Sequence, residues 1–252
     1  MHELSTSVVR AGELLEAVMH SPDPEGPTLS ELAAGRPYGR TTTYRLLRSL
    51  IQLGLVRQST TFHYTSGPMM VEYALRVGRE VSWVSRARGV LERLQRATDE
   101  TATLSLLLPS MERLFVDQVQ CEQMVRWVAT IGARAPLDRG ASGIAILSRF
   151  TPEEFDHYVK LRSEDDPTYA SGVEQLSVRV AEARKRGFAA SRGDNSFDGA
   201  ATAAPIVAGA AVIGAVSIGL PASRLTSKVS AEHGKISRSA AAEIAEIVLG
   251  RR

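Results

Sequence analysis

TLSELAAGRPYGRTTTYRLLRSLIQLG, residues 28–54, reads as two helices parted by a tight break. Thr28 stands three residues before Glu31, the spacing at which a hydroxyl and a carboxylate can satisfy each other's backbone N–H at a helix start. The first helix extends only to about Ala34. Gly35, Pro37 and Gly39 then stop it, because proline lacks a donor and glycine tolerates positive φ. The second helix starts near Arg40. Thr43, Leu46, Leu47, Leu50, Ile51 and Leu53 recur mostly at three- and four-residue steps and make one apolar stripe. Arg40, Thr41, Thr42, Tyr44, Arg45, Arg48 and Gln52 occupy the other side, which carries cations and hydroxyls and no acid. A short helix, a turn and a second helix with such a face is the layout of a helix-turn-helix reader.

The charge distribution agrees. The net charge is only +2, yet residues 32–71 contain no Asp or Glu while holding Arg36, Arg40, Arg45, Arg48 and Arg57. An acid-free basic segment in a nearly neutral chain is what a phosphate-contacting surface requires, although a merely solvated basic face has the same composition. The length of 252 residues predicts one to two domains. A single cysteine, Cys121, excludes an internal disulfide framework. The opening residues form an amphipathic pattern with acids rather than a signal peptide, so a cytoplasmic location is expected. Residues 199–223 carry no charge, but Pro205, Pro221 and glycines at 199, 209, 214 and 219 argue against a membrane span. Two buried strands around a turn at Gly209 explain this run better.

Outward from the two helices, residues 5–20 read as a preceding helix capped by Ser5 or Ser7. Residues 56–58 and 62–65 read as a hairpin turning through Ser59, Thr60 and Thr61. Three helices and this hairpin predict a winged helix over residues 5–67. Pro68 opens a connecting helix over 68–84, with Met69, Met70, Tyr73, Ala74, Val77, Val81 and Val84 along it and a break near Gly78 or Ser82. Its apolar positions fit either a dimer contact or packing within the chain. From Glu100 the pattern changes: residues 101–108, 113–120 and 125–132 read as strands. Helices follow from Gly140, from Thr151 with Glu154, and over 173–185, ending at Gly187. Strands at 188–193, 203–208 and 211–219 precede a closing helix over 227–249. This order predicts an α+β domain with an antiparallel sheet over residues 85–252.

Three segments together resemble the IclR family of bacterial transcriptional regulators over nearly the whole chain. They are TLSELA…GRTTTYRLLRSLIQLGLV…YTSG, then VATIGARAPLDRGASGIAILSRF, then ARKRGFAASRGDNSFDGAATAAPIVAGAAVIGAVSIGLPASRL. The resemblance implies a winged helix-turn-helix joined by a linker helix to a GAF-like α/β effector-binding domain. It also implies a homodimer, assembled as a dimer of dimers, and a small-molecule effector. Asp194 stands where the family usually has Glu.

For DNA, the candidate residues are Arg40, Thr41, Thr42, Tyr44, Arg45 and Arg48, with Arg57 and, more weakly, His63 in the wing. An arginine fork matches guanine O6/N7 or a phosphate, while threonines suit phosphate or a thymine methyl. An ion pair inside the domain is the other reading of Arg45. For an effector, the resemblance implies a pocket between the sheet and a loop at Gly140, Ala141 and Ser142, whose N–H groups can meet a carboxylate. Carried over from the family, Ser191, Ala201, Ser217 and Gly219 join it; tight sheet packing is the alternative use of the small residues. Trp127, on the third expected strand, is assigned to the core in preference to the pocket wall. The histidines are scattered, no nucleophile elbow or phosphate loop occurs, and neither a metal nor a cofactor is expected. The chain is therefore expected to be a DNA-binding regulator, a repressor in preference to an activator. It would read double-stranded, palindromic operator DNA under the control of a small organic acid or aromatic. A small-molecule enzyme, a hydrolase or transferase with an N-terminal assembly module, is the alternative.

Overall fold

The computed structural model describes residues 4–80, 82–166, 168–194 and 197–251, which form two compact units divided between residues 81 and 82. The first unit contains α1 (Thr6–Met19), α2 (Leu29–Ala33), α3 (Arg40–Gln52), β1 (Val56–Gln58), β2 (Tyr64–Ser66) and α4 (Pro68–Glu80). Its core is Leu14, Val18, Leu32, Leu47, Leu50, Val56 and Tyr64. Of the expected α3 stripe, Thr43, Leu47 and Leu50 are buried and Leu46 and Ile51 half-buried, as the spacing requires, whereas Leu53, at the helix C-cap, is exposed. The capping box forms: Thr28 N–H donates to Glu31 Oε2 at 2.7 Å and Glu31 N–H donates to Thr28 Oγ1 at 3.4 Å. The Thr28 backbone N–H, then its hydroxyl, holds the Glu31 carboxyl below its ordinary range.

The wing differs from expectation at its tip. The second strand begins at Tyr64 rather than Phe62, because Phe62 takes a positive φ of 63° and is left exposed. Ser59 N–H donates to His63 O at 2.8 Å and closes the longer turn. Tyr64 N–H donates to Pro27 O at 2.9 Å, so the chain before α2 lies against β2. Gly26, at φ +85°, makes this approach possible, since a Cβ there would overlap the Tyr64 carbonyl. Along α4, Val71, Tyr73 and Leu75 are exposed. Val81, one of the apolar series expected there, lies outside the described residues, as does the side chain of Val77.

The second unit is built on a six-stranded antiparallel sheet. Its elements are α5 (Ser82–Thr98), β3 (Thr101–Leu107), β4 (Glu112–Val119), β5 (Arg134–Pro136), α6 (Gly140–Leu147), α7 (Pro152–Asp165), a 3-10 turn (Tyr169–Gly172), α8 (Val173–Arg186), β6 (Ala189–Arg192), β7 (Gly199–Ala208), β8 (Ala211–Pro221) and α9 (Ser227–Val248). The strand order is β5-β4-β3-β8-β7-β6. Alternation along the strands sorts the two faces. Ala102, Leu104, Ala204, Ile206, Val216 and Ile218 pack with α5 and α9. Ala189, Ala203 and Ala215 pack with α6 and α8. Thr151 and Glu154 form the second capping box, and Gly187 ends α8 at φ +74°.

Residues 125–132 are not a strand. Phe115 N–H donates to Ala133 O at 3.1 Å and Gly132 N–H donates to Phe115 O at 2.8 Å, but Gly132 turns the chain at φ +86°. Ala129 is instead held by a side chain: the Gln118 amide donates to its carbonyl at 2.8 Å and accepts from its N–H at 3.1 Å. Val125, Val128 and Ile131 are consequently exposed, and the edge strand is β5. The uncharged run at 199–223 is essentially the β7–β8 hairpin, turning at Gly209 with φ +64°. No helix among the described residues is long and apolar enough to cross a membrane.

On α9, His233 is buried and its Nδ1 has no hydrogen-bond partner among the described residues. Burial pushes its pKa below 6.5, against the weaker pull of Glu100 and Glu232. The unfolded chain therefore binds the proton first, so stability falls as pH drops below 6.5. His233→Gln is expected to flatten this limb of a stability-versus-pH curve measured by urea unfolding. An unchanged slope would show that His233 does not set it.

Candidate functional site

The outward face of α3 carries the expected cations. Arg40, Thr41, Tyr44, Arg45 and Arg48 are exposed, Thr42 is half-buried, and Thr43 faces the core. No ion pair engages Arg40, Arg45 or Arg48 among the described residues, which removes the alternative reading of Arg45 as half of an internal pair. Burial raises the Tyr64 phenol pKa, while Arg40 and Arg48 lie near enough to oppose the shift, placing both beside the wing. Arg57 Nε donates to Thr65 Oγ1 across the hairpin at 2.9 Å, which holds this arginine along the wing. Phe62 stands at the wing tip, and only its aromatic character in a polar turn could have signalled it.

Two basic residues turn inward instead. Arg36 donates to Leu32 O at 2.7 Å and pairs with Glu13 at 3.5 Å, so it ties α1 to the end of α2. His63 faces Thr61 at 3.2 Å and Glu25 at 4.0 Å. The acid-free segment is therefore not uniformly a contact surface: Glu13, outside it in sequence, pairs with Arg36, and Glu25 lies beside His63.

In the second unit, Ser191 pairs with Ala201, Ala201 with Gly219 and Gly219 with Thr101, making one row across β6, β7, β8 and β3. Ala203, Ser217 and Thr103 form the next row on the same face. Ser217 Oγ donates to Thr103 O at 3.5 Å. This is the face crossed by α6. Trp127 closes over the first row: a Cβ added to Gly219 would lie 2.6 Å from Trp127 Cδ1. The half-buried indole thus covers the candidate effector face instead of joining the core, contrary to expectation. Gly219 supplies the room for it.

Gly140, Ala141 and Ser142 are the buried first turn of α6 rather than a loop before it. Asp194 already meets this helix end, its Oδ2 accepting from Gly140 N–H at 3.0 Å and pairing with Arg179. A carboxylate at a helix N-terminus is favoured by the dipole. The same residue links the end of β6 to α6 and so joins Ser191 to the Gly140 turn. Arg179 had no legible signal, being one charge among several on an amphipathic helix.

Beneath this turn lies Arg113, on β4 and fully buried. Its Nη1 donates to Pro136 O and, at 2.6 Å, to Arg139 O, the residue capping α6. Burial lowers its pKa to about 10, with Tyr158, Asp138 and Asp194 opposing, so it remains a cation at neutral pH. Gly143 rests on this guanidinium; a Cβ there would overlap Arg113 Nη1 and the Leu137 carbonyl. Arg113 therefore sets the height of α6 over the sheet.

The family models agree with this architecture. The model described as IclR helix-turn-helix domain matches residues 7–60, and that of the bacterial transcriptional regulator IclR C-terminal domain matches residues 77–246. The acetate operon repressor of Salmonella typhimurium is 29% identical over 250 residues, 94% of this chain and 88% of that protein. A crystal structure of an IclR regulator from Silicibacter sp. superposes with a TM-score of 0.81 at 25% identity, covering 95% of each chain. An IclR homolog from Microbacterium hydrocarbonoxydans, crystallised with 4-hydroxybenzoate, gives 0.71 at 22% identity over 97% of this chain and 100% of that one. The chain, with its helix-turn-helix and its α6-covered sheet, belongs to the IclR family of DNA-binding transcriptional regulators.

Proposed function

We propose that this protein is a cytoplasmic, non-enzymatic repressor that reads a palindromic operator as a homodimer, assembled further as a dimer of dimers. In this reading residues 5–67 bind DNA, 68–84 connect, and 85–252 bind effector and associate. The observation that carries it is the exposed, acid-free face of α3, with Arg40, Arg45 and Arg48 uncommitted to any ion pair among the described residues. Arg45 and Arg48 reach base edges or phosphates in the major groove, Thr41 and Thr42 anchor the helix start, Tyr44 flanks it, and Arg57 follows the backbone from the wing. Exposed Val71, Tyr73 and Leu75 on α4 support an apolar subunit contact. The first test is binding to the DNA upstream of its own gene across a salt series. A slope of about −0.9 per phosphate neutralised is expected. Equal affinity for random DNA would overturn the operator reading.

The effector reading places a small organic acid or aromatic over Ser191, Ala201 and Ser217, beside the Gly140–Ala141–Ser142 turn, with Trp127 as a wall seated on Gly219. The indole offers a ring a stacking surface; a ligand carboxylate reaching the helix end would take the Gly140 N–H now held by Asp194. The neighbour holding 4-hydroxybenzoate supports this class of ligand. Titration with 4-hydroxybenzoate and with simple carboxylic acids, read by Trp fluorescence, is expected to give saturable quenching. Gly219→Val, which drives Trp127 off the row, is expected to weaken binding at least about ten-fold, as loss of one well-packed contact implies. Undiminished binding in that variant would place the effector elsewhere.

A further inference from the structure

A cavity in the effector domain shares no residue with the candidate effector face. Strand β6 pairs with β7 only from Ala189↔Ala203 to Arg192↔Ala200, whereas β7 continues to Ala208. Residues 204–208 thus present an open strand edge, with α6 and α8 on one side of the sheet and α9 on the other. A cavity of about 340 Å³ lies there. Its apolar wall is small, with Ala204, Val207 and Ala245, and every charged residue lining it is an arginine: Arg149, Arg184 and Arg238.

One of these cations is fixed in place. Arg184 donates from Nε to Ser148 O at 3.0 Å and from Nη2 to Phe150 O at 2.8 Å, the carbonyls just beyond α6. The other two have no ion-pair or side-chain hydrogen-bond partner among the described residues. Arg238 lies over the left-handed cap of α8, where a Cβ on Gly187 would stand 3.0 Å from its Nε. All three arginines are exposed, so water screens their mutual repulsion, but with no acid lining the concavity they leave a local excess of positive charge that a multivalent anion complements. Edge-to-edge pairing with a second copy is a poor alternative. It would bring two such arginine sets together, and Pro205 removes a backbone donor from the edge.

We propose that this cleft binds a small multivalent anion, a phosphoryl or polycarboxylate compound, held by the forks of Arg149 and Arg238 with Arg184 at its rim. Guanidinium forks match both oxyanion classes. The site depends on neither operator nor effector binding.

Calorimetric titration of the full-length protein with pyrophosphate and with citrate, at constant ionic strength, tests it. One saturable site per chain is expected in at least one arm. Binding to pyrophosphate alone assigns a phosphoryl ligand, and binding to citrate alone a polycarboxylate. The double variant Arg149→Ala/Arg238→Ala is expected to lose at least ten-fold in affinity, Arg149→Lys/Arg238→Lys to lose less, and Arg45→Ala to bind as wild type. Trp fluorescence melting checks that each variant is folded, and the lysine pair serves if the alanine pair is not. Absence of saturable binding in both arms, wild-type affinity in the folded double variants, or loss in Arg45→Ala would overturn the proposal.

Discussion

Arg45→Ala is expected to reduce operator affinity by about 1–3 kcal/mol for each half-site, roughly five- to 150-fold per protomer. The side chain is exposed on α3 and engages no ion pair among the described residues, so its removal leaves the fold intact. If Arg45 reads a base, discrimination between operator and random DNA collapses while the salt slope changes little. If it reads a phosphate, affinity falls for both sequences and the slope drops by about one. Arg36→Ala separates contact from support. It breaks the Glu13 pair and the Leu32 carbonyl contact, so it is expected to lower the stability of the first unit more than the salt slope. Titrating labelled operator with each variant at several salt concentrations distinguishes these cases. Wild-type affinity in Arg45→Ala would remove this residue from the interface.

Gly143→Ala is expected to destabilise the effector domain strongly for a single added methyl. The added Cβ meets a backbone oxygen and a buried guanidinium, neither of which can swing away as a flexible side-chain end would. Overpacking of this kind costs about 1–3 kcal/mol, which for a domain of this size lowers Tm by roughly 2–12 °C. Both tryptophans, Trp83 and Trp127, lie in the second unit, so fluorescence melting reports on it directly. Gly172→Ala is the control: nothing lies near its Cβ position, and a change within about 0.5 kcal/mol is expected. Equal melting of the two variants would mean that α6 can lift from Arg113 at little cost. In that case effector affinity should still suffer, because lifting α6 moves the Gly140 turn away from Asp194 and the sheet.

Local chemistry was legible wherever the residues that cause a feature are neighbours in sequence. Two capping boxes, the proline that opens α4, the αL glycine that ends α8 and the Gly209 hairpin all depend on interactions within a few residues. The stripe of α3 was legible for the same reason, since burial of one side leaves the other to solvent. That argument carried the helix-turn-helix and its cationic face. It failed at 125–132, where alternation suggested a strand but Gly132 and the Gln118 side chain decided otherwise.

The order and type of most elements, the acid-free face of α3 and the small-residue rows of β7 and β8 were thus determined by the sequence alone, because each follows from steric freedom, periodicity or local charge. Only the tertiary structure decided which charges remain available. Arg36 and His63 are drawn to Glu13 and Glu25, Asp194 reaches Gly140 and Arg179, and Arg113 disappears beneath α6. Each of these pairings joins residues far apart along the chain. Their free energy depends on distance and burial that no spacing in the sequence specifies.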